Sequence, residues 1–220
     1  PVNTWANELE TTFEKDILES ESSLTESDIQ QFMVEPQVVA QTTTGSSFKF
    51  SFSGGKLTGI TNSDGSAVSG EIVIPSHIDG VEVKTLGNGL FNENANITKV
   101  IIPNTVESIE DGKSDVKGIT GTFRNTANLK NVEFEDGSKL TTIGSFAFQA
   151  SGIERINWPI GLKKFGQYAF EKTQLSGELV LPEGLEEIGG YAFKGCAKFT
   201  SVMLPSTLKT GASQWFHSCT

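Results

Sequence analysis

The side chains able to do nucleophilic, acid–base or metal chemistry are few in this chain. The histidines are His77 and His217, and the cysteines are Cys196 and Cys219. A zinc site needs three or four such ligands converging from short, fixed spacings. Neither histidine has that spacing with the other or with a cysteine cluster. His217 lies two residues from Cys219, but a thiol–imidazole pair needs proximity in space and an orienting third group. Glu178, Glu183, Glu186 and Glu187 crowd one stretch. Glycosidic cleavage needs two carboxyls facing each other across a sugar, and this run reads instead as solvated charge. Asn62-Ser63-Asp64-Gly65 is a turn without calcium-loop spacing, and no Gly-rich segment opens onto a helix to cradle phosphate. The expectation is a protein with no catalytic residue, no cofactor and no bound metal, and so not an enzyme.

The elements that would position any site come from a repeat. Ile143-Gly-Ser-Phe-Ala-Phe148, Phe165-Gly-Gln-Tyr-Ala-Phe170 and Ile188-Gly-Gly-Tyr-Ala-Phe193 are near-copies. The closing Phe recurs at 91, 123, 148, 170, 193 and 216, with gaps of 32, 25, 22, 23 and 23 residues. A period in this range signals a solenoid. Upstream of each Phe runs a short apolar segment, usually closed by Pro, as in Ile72-Val73-Ile74-Pro75 and Leu179-Val180-Leu181-Pro182. Aligned on that Pro, one apolar column reads Ile72, Val100, Val132, Ile156, Leu179, Val202. A second reads Ile74, Ile102, Phe134, Trp158, Leu181, Leu204. Between them lies a mixed column: Val73, Ile101, Glu133, Asn157, Val180, Met203. Apolar, variable, apolar predicts a strand with one buried face, ended by Pro, which cannot donate to the next ladder bond. Each turn should therefore contribute one short strand to a parallel stack.

Three residues past each Phe stand Asn94, Thr126, Ser151, Thr173, Cys196 and Cys219. A stacked row of small polar groups can satisfy backbone atoms buried by the tight turns. Cys196 and Cys219 share this column on adjacent coils. A bridge is compatible with that spacing, but two buried free thiols fit better, because the column also accepts Thr and Ser.

This unit resembles the BspA-like leucine-rich repeat, a variant of bacterial surface proteins and some protists. The matching features are the Pro-ended strand, Ile-Gly, two variable residues, Ala-Phe and a Cys three positions on. The resemblance covers about Ile60 to Cys219 and is strongest over Leu175–Cys196. It departs at Ile109–Phe123, which carries about nine extra residues, and in the last unit, where Gly211 and Ala212 replace Ile-Gly. The fold expected is a β-rich repeat solenoid of parallel stacked short strands with a small N-terminal helical cap. The resemblance implies a secreted or cell-surface bacterial protein that adheres to host matrix proteins or other cells.

Two segments follow. Residues 1–47 read as a helical cap and linker: Trp5, Leu9, Phe13 and Ile17 form one helical stripe over 4–20. Thr25–Asp28 can cap a second short helix that Pro36 ends. Residues 48–220 read as a solenoid of about six repeats that opens with a β-hairpin turning at Gly54-Gly55. The extra residues between Ile109 and Phe123 should emerge as a loop. The chain opens at Pro1 with no Met and no apolar signal segment, which reads as the start of a processed or engineered chain. At the other end, Cys219-Thr220 falls where a next strand would begin, predicting a continuing array in preference to end-to-end self-association through Trp215.

Of the net charge of −10, most belongs to residues 1–35, with nine acids against one base. The repeats are nearly neutral, which argues against nucleic acid and anionic membrane as partners, since both require a basic patch. No apolar run is long enough for membrane insertion. What remains is a binding module, using its outward strand positions, for a protein or glycan partner. The partner-binding candidates on that face are Ile101, Arg155, Asn157, Val180 and Met203. The alternative is a passive spacer within a larger surface protein.

Overall fold

The computed structural model describes residues 48–211 and 214–219. The helices expected over 4–20 and from Ile29, and the linker after Pro36, lie outside these residues. Among the described residues the chain winds as a solenoid of short strands. The Pro-ended segments form its front. Gly70–Val73, Ile97–Ile102, Asn131–Phe134 and Arg155–Ile156 hydrogen-bond in that order as a parallel sheet. Ile72, Val100, Val132 and Ile156 fall opposite one another, which is the register that alignment on Pro predicts. Ser176–Val180 and Lys198–Met203 form a separate parallel pair, with Leu179 opposite Val202.

Each turn carries two strands, not the one expected. The Ile-Gly position makes a second, two-residue strand: Thr85–Leu86, Ser108–Ile109, Thr142–Ile143, Lys164–Phe165, Glu187–Ile188 and Thr210–Gly211. With the hairpin Phe48–Ser53 and Lys56–Asn62 they build an eight-stranded back sheet, in which the outermost strand, Phe48–Ser53, pairs antiparallel. Two residues are too few for a period of two to be visible. A glycine follows four of these strands, at Gly87, Gly144, Gly166 and Gly189, and it has a physical reason. A Cβ at Gly144, Gly166 or Gly189 would collide with backbone of the preceding coil. That close approach lets Gly166 N–H reach the Ile143 carbonyl at 2.8 Å, and Gly189 N–H the Phe165 carbonyl at 2.8 Å.

The closing phenylalanines form one continuous stack. Successive rings from Phe91 to Phe216 lie 4.8–5.3 Å apart, with interplanar angles of 5–20°. Phe91 through Phe193 are buried. Each pair adds about 0.5–1.5 kcal/mol beyond its burial. On the outermost front strand, Val202 and Leu204 are exposed, because no described strand pairs on their far side.

The small polar column behaves as an internal ladder at its Asn, Thr and Cys positions, whereas the buried Ser151 hydroxyl has no partner among the described residues. Thr126 Oγ1 donates to the Phe123 carbonyl at 2.7 Å, Cys196 Sγ to the Phe170 carbonyl at 3.1 Å, and Cys219 Sγ to the Phe193 carbonyl at 2.9 Å. Both thiols are free. The extra residues after Ile109 emerge as a small hairpin, Ser114–Asp115 against Gly118–Ile119. No described helix is long and apolar enough to cross a membrane.

Candidate functional site

The front sheet is interrupted. Arg155–Ile156 pairs with the coil before it, but no ladder joins it to Ser176–Val180. Among the described residues, one backbone hydrogen bond links the two strand segments' margins, from Ser176 N–H to the Glu154 carbonyl at 3.3 Å. A cleft of about 610 Å³ opens at this break. Its size falls within the usual range of ligand pockets.

Strand geometry sets its lining. Outward positions supply the rim: Arg155, Asn157, Glu178 and Val180. Inward positions supply an apolar floor of Ile156, Trp158, Leu179 and Phe199. Trp158 is held by Phe165 at 5.1 Å and by Phe170 edge-on at 5.3 Å. Phe199 packs edge-on against Phe193 at 6.1 Å. These contacts fix two aromatic walls on the buried stack, so the floor is rigid.

The electrostatics change at the same place. On the earlier strands the outward charges pair across coils. Lys99 Nζ sits 3.6 Å from Glu71 and 3.1 Å from Glu133, and the Glu133 hydrogen bond is the leading cause that raises the Lys99 pKa. At the cleft, Arg155 and Glu178 make no ion pair with any described residue. Glu154, at one end, is paired with Lys130 at 3.0 Å. That hydrogen bond is the main cause holding its carboxyl below the usual range, with smaller help from Arg155 and Lys198. The cleft therefore presents an uncompensated cation and an uncompensated anion above an apolar floor.

Of the residues singled out from sequence, Arg155, Asn157 and Val180 line this cleft. Met203 stands opposite Val180 on the next strand and extends its apolar rim, with Val180 49% and Met203 54% exposed. Ile101 lies elsewhere, half-buried between Val73 and Glu133. Trp158 and Phe199 escaped the sequence reading as site residues. Trp158 belonged to a core column, and Phe199 lies outside the aligned columns. A signal did exist. Ser176-Gly-Glu-Leu-Val180 copies Ser69-Gly-Glu-Ile-Val73, and both segments begin a sheet. In both, a glycine with positive φ (Gly70 at 74°, Gly177 at 78°) precedes a bulge. A bulge of this kind leaves one partner residue unopposed, here Thr98 and Thr200. The motif marks a first strand, and its second copy marks the break.

The residues weighed for chemistry are dispersed. Glu187 pairs with Lys164 at 2.9 Å and Glu186 with Lys209 at 2.8 Å, while Glu183 accepts from Ser206. His77 contacts Ser76, and His217 lies edge-on to Tyr191 at 6.0 Å. Among the described residues no group of three His, Cys, Asp or Glu could hold a metal ion.

Stacked short strands on two sides, an inward Phe column and a glycine at each tight approach define a leucine-rich-repeat solenoid. The model of the BspA type leucine rich repeat region matches residues 70–114 and 84–220, with six copies. The chain belongs to that family. Solved structures with the same fold include a leucine-rich repeat protein from Bacteroides ovatus. It is 23% identical, with a TM-score of 0.58, over 79% of this chain and 43% of that one. A leucine rich repeat protein from T. pallidum is 26% identical, with a TM-score of 0.56, over 72% and 69%. A leucine rich cell surface protein from Faecalibacterium prausnitzii is 22% identical, with a TM-score of 0.56, over 75% and 43%. The chain thus spans less than half the length of the B. ovatus and F. prausnitzii proteins. No curated protein matches it.

Proposed function

We propose that this chain is a non-enzymatic, extracellular binding module that holds an extended segment of a partner protein in the front cleft. The observation that carries this reading is the break in the front ladder. It leaves two strand edges without mutual pairing, above aromatic floor residues and beside unpaired Arg155 and Glu178. An extended peptide can bond such an edge through its main chain while alternate side chains enter the pockets below. A polar rim around an apolar floor is also the usual make-up of a specific contact. A secreted or cell-surface location is part of the same proposal. It draws support from membership of the BspA type family and from the F. prausnitzii neighbour, which is a cell surface protein.

A random peptide library displayed on phage and selected on the immobilised protein tests the reading. Recovered peptides should bind in solution, and Val180→Arg should weaken them about tenfold or more. A library that yields no binder sensitive to Val180→Arg overturns the proposal and leaves the passive spacer.

A further inference from the structure

A second groove, of about 510 Å³, lies on the turn side of the coils. Ile119, Phe146, Tyr168, Gln149, Glu171 and Lys172 are among its walls. One bank is aromatic. Two residues before the closing Phe of three successive coils stand Phe146, Tyr168 and Tyr191. Their rings stack at 5.2 and 5.1 Å, within 8° of parallel. All three have positive φ, of 58°, 54° and 59°, a conformation unfavourable for bulky residues. Earlier coils place Gly89 and Gly121 at this position. Gly89 shares the positive φ, at 82°, as does Gln214 in the last coil, at 70°, whereas Gly121 does not; the turn suits glycine, yet three coils carry a half-buried aromatic ring outside the core. Strain of this kind concentrates at functional sites.

Beside the rings runs a polar ladder from the residue after each closing Phe. Arg124 Nε donates to Gln149 Oε1 at 2.8 Å, and Gln149 Nε2 to Glu171 Oε2 at 2.6 Å. Lys194 Nζ sits 3.1 Å from Glu171 Oε1 and 5.5 and 5.8 Å from the Tyr191 and Tyr168 rings. Arg124 also pairs with Glu93 at 3.1 Å. Along this ladder two cations face two anions, Lys172 on the groove wall adds a further cation with no ion pair among the described residues, and Glu171 is buried. The ladder is thus fixed, hydrogen-bonding and close to neutral.

The inserted hairpin stands at one end of the groove. Gly112 N–H donates to the Ser145 carbonyl at 2.6 Å, and Thr120 N–H to the Lys113 carbonyl at 2.8 Å. The first bond anchors the hairpin's base beside the first ring of the stack, and the second closes the hairpin on itself. There Gly121 adds no side chain, and Ile119 forms a wall. The insertion and the aromatic column therefore meet at one site.

We propose that this groove binds a linear neutral glycan. Because the rings stack on one another, the bank offers a sugar chain a row of apolar ring edges for its C–H groups, and the ladder of amide, carboxylate and ammonium groups offers its hydroxyls hydrogen-bond partners. A chain whose units repeat near the coil pitch, roughly 4.8 Å, meets an equivalent ring at each unit. An extended chain of hexopyranoses has such a repeat. With Lys172 the groove carries a small net positive charge, short of the extended basic patch that polyanions such as nucleic acid require. This site is independent of the front cleft.

Affinity electrophoresis through gels containing mannan, laminarin, xylan or hydroxyethyl cellulose tests the proposal. At least one polysaccharide should retard the protein. Tyr168→Gly restores the residue type that Gly89 and Gly121 hold, so the fold should persist and the melting temperature serves as its check. This variant should weaken retardation about tenfold, as should Gln149→Ala, while Val180→Arg in the front cleft leaves it unchanged. No retardation by any of the four, or retardation that survives Tyr168→Gly, overturns the proposal. So does selection of displayed peptides whose binding depends on Tyr168, which would make the occupant a polypeptide.

Discussion

Lys99 Nζ lies 3.1 Å from the Glu133 carboxylate on the following coil, although Lys99 stands opposite Asn131 in the ladder and Glu133 two residues further on. The pair neutralises the front face over the early strands. Such exposed pairs contribute little to stability, but they settle where charge remains available. Two coils on, Arg155 and Glu178 have no such partners, and there the sheet also parts.

This contrast separates the front-face residues. Replacing Arg155 and Val180 together by Ala should weaken a cleft-binding peptide about tenfold, or about 1.4 kcal/mol. Ile101→Ala, away from the break, should leave affinity within about twofold. Calorimetric titration of one selected peptide against the three proteins provides the check. Equal losses for both changes would place the contact elsewhere on the face.

The Phe stack sets global stability. Phe193 touches Phe170 and Phe216 at 5.3 Å on either side and is fully buried. Phe193→Ala should cost roughly 3–5 kcal/mol, read as a lower urea midpoint at unchanged slope. Trp215 is only half-buried, and its indole nitrogen has no hydrogen-bond partner among the described residues, so Trp215→Ala should cost less.

Gly189→Ala isolates the close approach between coils. The added methyl would meet backbone of Gly166 and Gln167, which cannot move without breaking the back-sheet bond to Phe165. A loss of roughly 1–3 kcal/mol is expected. Gly161→Ala is the control: its Cβ would meet only ordinary contacts beyond 3.5 Å, and its effect should be within about 0.5 kcal/mol. Thermal melts of both variants decide whether packing or general glycine content is at work.

Burial pushes the Cys196 thiol up to about 11 from 9.0, against opposing hydrogen bonds from Thr173. The fold therefore favours the protonated thiol. Its contribution is fully present below pH 9, where the unfolded chain also keeps its proton. As pH rises from 9 toward 11 the unfolded chain ionises first, so stability falls by up to about 1.4 kcal/mol per pH unit. Urea unfolding at pH 8 and 10.5 should show a smaller loss for Cys196→Ser than for the parent chain. Equal losses would mean that the thiol stays protonated in both states or ionises equally in both.

Much of the fold was legible because the repeat is local and periodic. The alternation Ile72, Val73, Ile74 declares an inward and an outward face, and alignment on Pro gives the register found in the sheet. The Phe spacing likewise foretold a stacked core column, and the polar column foretold its ladder at Asn, Thr and Cys, though not at Ser151, whose hydroxyl has no partner among the described residues. The back-sheet strands were not legible, since two residues such as Glu187 and Ile188 carry no readable period. Their pairing depends on glycines that let neighbouring coils approach.

The sequence by itself determined which side chains face in, which face out and which follow one another along the solenoid. All of these depend on chain-local geometry repeated at a fixed interval. Only the tertiary structure decided where neighbouring coils fail to pair, so that Arg155, Asn157 and Val180 border a cleft while Ile101 does not. It alone set the inserted hairpin beside Phe146 at the end of an aromatic column. Both depend on backbone contacts between residues more than twenty positions apart, and a bulge at Gly177 or a missing side chain at Gly121 redirects such contacts without altering the period of the repeat.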